Sequence, residues 1–167
     1  MLEVSCSAEP KVHVALTNEQ ATFRAESTMV FEFADGNLVG FRAGLTRRKI
    51  ASLFGEHPTQ FMKSIFSVSP TDVYNDQSIH VYFEKDDVLQ GIEIFTPNVF
   101  LCFNRNVLGE NAREVADWLR LEDPSFAEDV LGYSVANGRL VLYVPEKGDH
   151  PDVLIKAVYV SYEGGRV

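Results

Sequence analysis

A helix followed by a pair of strands occurs twice in this chain, and that recurrence limits the folds open to it. Residues 46–54 and 111–119 align class for class: a capping residue, an arginine two positions on, Ile50 or Val115, an alanine, a polar residue, then two bulky apolar residues. In the first copy Ile50, Leu53 and Phe54 fall at i, i+3 and i+4, which makes one apolar face. Thr46 can cap its start through the hydroxyl, and Gly55 and Pro58 close it. Downstream, 140–144 matches 79–83 with Tyr143 against Tyr82, and 155–162 matches 88–95. Chance similarity between two α-β-β stretches is the plain alternative. Two copies are too few for a solenoid. They predict an α+β fold: a mainly antiparallel sheet with helices on one face, built from two pseudo-repeated α-β-β units.

The residues before the first unit read as strands. Positions 11–16 alternate, with Val12, Val14 and Leu16 on one side, and 28–33 alternate again through Met29, Phe31 and Phe33. The turn-forming run Ala34-Asp35-Gly36-Asn37 then returns the chain along 38–41, so 28–41 is an expected hairpin. A second hairpin is expected over 79–95, across the polar stretch 84–87. The organisation predicted is one domain over 1–167: N-terminal strands 1–41, unit one at 42–96, unit two at 105–162.

Composition supports a folded chain. Hydrophobic residues make up 46% and the core can draw on 12 Phe, 6 Tyr and 1 Trp. Net charge is −9, and residues 64–167 hold all of it, with eight Lys/Arg against seventeen Asp/Glu, while 1–63 balance at seven each. Such a surface disfavours direct nucleic-acid binding and attracts basic partners. The simpler alternative is that acidity serves solubility. The N-terminus lacks a secretory pattern and no apolar run approaches membrane length, so a cytoplasmic protein without membrane contact is expected. Two cysteines far apart, Cys6 and Cys102, predict no disulfide framework, with Cys102 buried in an apolar run.

No constellation for catalysis emerges. His13, His57, His80 and His150 are scattered without metal-ligand spacing, and His80 with Glu84 is a poor pair on a strand end and a turn. There is no G-x-S-x-G elbow and no phosphate-binding glycine loop. No metal, cofactor or catalytic residue is expected. The acidic pairs Asp86/Asp87, Glu122/Asp123 and Glu128/Asp129 fall in turns and loops, where carboxylates are ordinarily solvated. They suit partner binding better than acid–base work, since loops present side chains. The basic run Arg42, Arg47, Arg48, Lys49 opposes the dipole at a helix start and is either a functional surface or a solvated face. Trp118, spaced with Val115 and Leu119, is a core residue or a packing point between the units.

The string Gly44-Leu45-Thr46-Arg47-Arg48-Lys49-Ile50, with Leu53-Phe54-Gly55 and Pro58, resembles a helix motif of small bacterial proteins. The same proteins carry Ile-x-Val-Tyr-Phe and Gly-Ile-Glu-Ile-Phe, which stand here at 79–83 and 91–95. This is similar to immunity proteins of contact-dependent inhibition and other polymorphic toxin systems, over residues 37–160. A related helix motif occurs in lipoproteins of outer-membrane assembly, from which the absence of a lipobox-type cysteine separates this chain. The resemblance implies a protein that binds and neutralises a cognate basic toxin domain, with a cytoplasm-acting nuclease as the expected target. The contact surface is then expected at Asp86, Asp87, Glu122, Asp123, Glu128 and Asp129. Two other classes stay open: a small-ligand protein or enzyme with a cleft between the units, and an adaptor associating through sheet edges.

Overall fold

The computed structural model describes residues 28–55, 57–64, 67–145 and 152–162. The strand expected at 11–16 lies outside them. The expected hairpin at 28–41 forms as β1 (Val30–Ala34) and β2 (Asn37–Leu38), which is shorter than the return strand read to Phe41. Asp35 and Gly36 both take positive φ, 51° and 74°, which turns the chain with the right twist for a two-residue hairpin.

Helix α1 (Arg47–Phe54) starts at Thr46, whose hydroxyl accepts from the Lys49 amide, and ends at Gly55 with φ 117°. The stretch to residue 79, to which the sequence pattern assigns no element, holds β3 (Thr59–Phe61) and β4 (Thr71–Tyr74) before β5 (Ile79–Phe83) and β6 (Leu89–Phe95). A second hairpin, β7 (Val99–Cys102) and β8 (Arg105–Asn106), precedes α2 (Ala112–Glu122), which Asn111 caps. The next loop also holds strands, β9 (Ala127–Glu128) and β10 (Gly132–Val135), before β11 (Leu140–Tyr143) and β12 (Ala157–Ser161). The repeated unit is therefore hairpin, helix, four strands, and its second copy begins at β7 rather than at residue 105. Short strands with buried polar residues, Thr71 and Asp72 in β4, escape a reading based on apolar alternation.

Eight strands form one fully antiparallel sheet in the order β3-β4-β5-β6-β12-β11-β10-β9, so the units join through their last strands. The two hairpins form a four-stranded sheet, β2-β1-β7-β8, in which β1 and β7 run parallel. The antiparallel α+β class expected from the repeat is what the chain adopts.

Matching ladder pairs define the internal symmetry. Ile79 faces Ile94 in unit one and Leu140 faces Val160 in unit two, so Glu93 corresponds to Tyr159. These two are also direct partners across β6–β12, which places an approximate two-fold axis between them. Aligning 155–162 with 88–95 is thus one residue out, and a slip of one reverses the face of every side chain. Each helix start is bound to the chain just before its unit's last strand. The Leu89 amide donates to the Leu45 carbonyl at 2.7 Å and Arg47 to Asp87 at 2.8 Å; Ile155 to Glu110 at 3.0 Å and Ala112 to Val153 at 2.8 Å repeat the pattern.

One continuous apolar core runs through both units. Ile79, Val81, Ile92, Ile94, Val158, Val160, Leu140 and Leu142 supply one face of the large sheet, all fully buried. Ile50 and Phe54 of α1 and Val115, Ala116 and Leu119 of α2 cover that face. The Phe54 ring meets Phe31, Phe41 and Tyr74 at centroid distances of 5.3–6.5 Å, tying helix, hairpin and sheet together. Trp118 is half-buried, edge-on to Phe103 at 6.1 Å and under the Arg105 guanidinium, so it packs on the β7–β8 hairpin within its own unit. Among the described residues no helix is long and apolar enough to cross a membrane.

Candidate functional site on the open face of the large sheet

Among the described residues no helix covers the opposite face of the eight-stranded sheet at its centre, and its side chains alternate out of the same strands that build the core. On an open, wet face, Thr, Ser and Lys are ordinary strand choices; here the central positions are aromatic. His80 and Tyr82 project from β5, Glu93 and Phe95 from β6, Tyr159 from β12 and Tyr143 from β11, all half-buried. Tyr82 and Tyr143 are counterparts in the repeat and flank the symmetry axis.

The rings hold one another. Tyr82 and Tyr159 meet edge-on at 5.7 Å, and His80 lies 4.7 Å from Phe95 and 6.0 Å from Phe61 of β3. Gly91, opposite Tyr82 on β6, leaves room for Tyr159: a Cβ there would overlap the Tyr159 hydroxyl. At the centre the Tyr82 hydroxyl donates to Glu93 Oε2 at 2.5 Å, and His80 Nδ1 stands 3.6 Å from the same oxygen. Burial alone would raise the Glu93 carboxyl, but the hydrogen bonds from His80 and Tyr82 and the charges of His80 and Lys63 outweigh it and hold the group below its ordinary range. Burial, and then Glu93 itself, push the Tyr82 phenol upward. Both shifts favour a carboxylate at Glu93 and a neutral phenol at Tyr82. His80 is thus engaged across the ladder by Glu93, not by the nearby Glu84.

Beside the axis, a cleft of about 370 Å³ opens between the face and the segment leading to β4. Lys63, Ser69, Thr71, Tyr82, Gln90 and Tyr159 line it, so both units contribute. Lys63 Nζ sits 4.8 Å above the Tyr82 ring.

The acidic residues singled out in the sequence are not drawn into one patch. Asp86 and Asp87 occupy the β5–β6 turn and Glu122 ends α2 rather than lying in a loop, while Glu128 ends β9 and Asp129 follows it, four strands from β6 and about 19 Å away at the usual interstrand spacing. Several have local tasks. Asp87 accepts from Arg47 Nε at 2.9 Å, and Asp123 accepts from the amides of Ser125 and Ala136, each at 2.7 Å. Burial would raise the Asp123 carboxyl, but the Ser125 hydroxyl together with the Ala136 and Ser125 amides outweighs it and holds the group below its ordinary range. Asp129 accepts from the amides of Leu131 and Gly132, and Glu128 reaches Arg120 at 3.5 Å. Asp86 and Glu122 are exposed.

The basic run also divides. Arg42, Arg48 and Lys49 are exposed, but Arg47 is turned inward. Its guanidinium contacts Asp72, donates to Ser69 Oγ at 2.7 Å and to the Pro70 carbonyl at 3.1 Å, and stacks 4.1 Å over Phe83. Asp72 is completely buried, and Gln60 Nε2 donates to the same oxygen that Arg47 engages, at 2.7 Å. Burial raises the Asp72 carboxyl above its ordinary range against the pull of Gln60 and Arg47. Cys102 is a free, buried thiol, as expected, and burial and then Asp123 push it up to about 12, which leaves it inert at neutral pH. No group of three or more His, Cys, Asp or Glu among the described residues could hold a metal ion.

Comparison with protein-family models, curated proteins and solved structures found no match. The open face rests on its chemistry alone. Its principal residues, Tyr82, Glu93 and Tyr159, were not among the sites expected from sequence. The signal was present as large rings at the wet positions of otherwise apolar strands, Val81-Tyr82-Phe83 and Val158-Tyr159-Val160.

Proposed function

We propose that this chain is a protein-binding inhibitor of the immunity type, which docks a cognate toxin domain on the open face of its large sheet. The observation that carries the reading is the pair of ring contacts, Tyr82 with Tyr159 and His80 with Phe95, at the centre of an antiparallel sheet face to which Tyr143 adds a further half-buried ring. Tyrosine gives large contact area with a polar tip at small entropic cost, and such residues dominate interface energetics. Rings already fixed by their neighbours lose little further freedom on binding. The acidic excess of residues 64–167 suits a basic partner, such as a nuclease with a substrate groove, and would speed its approach. Exposed Asp86 and Glu122 contribute to the net charge that would steer such a partner.

The test is capture of the partner by the tagged chain in its native host, followed by an activity assay on the complex. A stoichiometric basic domain whose toxic activity falls on binding is expected, and Tyr82→Ser with Tyr159→Ser should weaken the complex at least about a hundredfold. A partner that binds both variants as tightly as the parent chain would overturn the assignment of this face. The cleft lined by Lys63, Gln90 and Tyr159 favours a second reading, in which a small polar ligand occupies the junction of the units. That reading gains if small molecules, and no protein, protect the cleft from chemical labelling at Lys63.

A further inference from the structure

At the symmetry axis of the open face lies a carboxylate whose two oxygens stand in different surroundings. Glu93 Oε2 is committed to Tyr82 at 2.5 Å and faces His80 at 3.6 Å. Oε1 makes no hydrogen bond within the described residues, and the side chain as a whole keeps 17% of its surface exposed. Tyr159 stands directly across β12 from it, and His80 directly across β5. An anionic oxygen therefore stands between aromatic ladder neighbours, His80 on one side and Tyr159 on the other.

A cation with flat apolar faces fits that arrangement. Guanidinium can donate to one oxygen while its faces lie on aromatic rings, and it sheds water more easily than an ammonium group. The chain uses the same chemistry internally: Arg47 stacks over Phe83 at 4.1 Å, Arg120 over Phe126 at 4.8 Å and Arg105 over Trp118 at 5.1 Å. Charge points the same way, since the sequence from 64 onward carries seventeen acidic against eight basic residues. We propose that Glu93 anchors an arginine side chain of the docked partner protein, with one guanidinium N–H on Oε1 and the planar group against Tyr159 and His80. This rests on the reading of the open face as a protein-docking surface and names the partner group at its centre.

The anchor can be probed without the partner, using Nα-acetyl-arginine amide and its neutral isostere Nα-acetyl-citrulline amide. In backbone NMR titrations of the full chain, the arginine amide should shift Glu93, Tyr82 and Tyr159 saturably, with a dissociation constant on the order of millimolar. Glu93→Gln keeps the side-chain shape and should weaken that binding at least about tenfold, with amides away from the face unmoved. Citrulline amide shifting the same residues equally, or arginine shifts centred on Asp86 or Glu122, would overturn the proposal. So would titration curves that Glu93→Gln leaves unchanged. The two readings fail separately. A captured partner that needs Tyr82 and Tyr159 but binds Glu93→Gln with unaltered affinity removes the anchor and leaves the docking face. Arginine binding at Glu93 with a partner indifferent to Tyr82 and Tyr159 leaves the cation site and removes the docking face.

Discussion

Arg47 shows how a single position can be misread from its neighbours. In the sequence it belongs to a cluster of four basic residues, three of which stand at a helix start and oppose its dipole. In the fold it leaves that surface and connects α1 to β4, to the segment before β4 and to the β5–β6 turn through Asp72, Ser69, Pro70 and Asp87. Its side chain is 17% exposed and that of Asp72 is 1% exposed, so the carboxylate cannot fall back on water. Arg47→Ala should therefore cost about 3–5 kcal/mol, because it strands a buried carboxylate. Replacing both partners, Arg47→Met with Asp72→Leu, should recover most of that loss, since no charge is left unpaired. Urea denaturation of the three proteins decides this. A single variant within about 1 kcal/mol of the parent would show that Asp72 is already neutral or relaxes to solvent.

Among the elements, β6 and β10 make a useful contrast because each contains a glycine under a different kind of neighbour. A Cβ at Gly91 of β6 would strike the hydroxyl end of the Tyr159 side chain, which can swing away. A Cβ at Gly132 of β10 would strike the backbone carbonyl of Leu142 on the adjoining strand, which the ladder holds in place. Gly132→Ala should destabilise the fold by about 1–3 kcal/mol through overpacking. Gly91→Ala should leave stability within about 1 kcal/mol, yet displace Tyr159 from the open face and weaken partner binding. Thermal melts with binding to the captured partner separate the two outcomes. Equal loss of stability in both would mean that the Tyr159 ring is as immovable as a strand backbone.

For the whole molecule the decisive contact is β6 with β12, five residue pairs joining two copies of one unit into a single sheet over a single core. Neither half can bury its share of that core alone, so the halves should unfold together. Leu119→Ala in α2, at a fully buried site, is expected to cost about 2–5 kcal/mol and to lower the midpoint of the entire chain. Trp118 is the single tryptophan and reports unit two, while amide signals of β4 and β5 report unit one. Coincident transitions by both probes are expected. Separate transitions would mean that the β6–β12 ladder joins two independently stable bodies.

Local sequence determined the elements that carry their own signals. Thr46, Asn111 and Gly55 mark helix ends through capping chemistry, the 79–95 hairpin reads from alternation, and the repeat itself is visible at matching positions. Each of these depends on neighbours within a few residues. What depended on partners far along the chain was not legible. Short strands such as β4 and β9 exist because an adjacent strand supplies their hydrogen bonds, and the buried Asp72 is tolerated only because Arg47 arrives from a helix. The dispersal of the acidic residues and the meeting of Glu93 with Tyr159 follow from strand order and register. Those are set when the two units close over a common core, and the spacing of residues along the chain does not encode them.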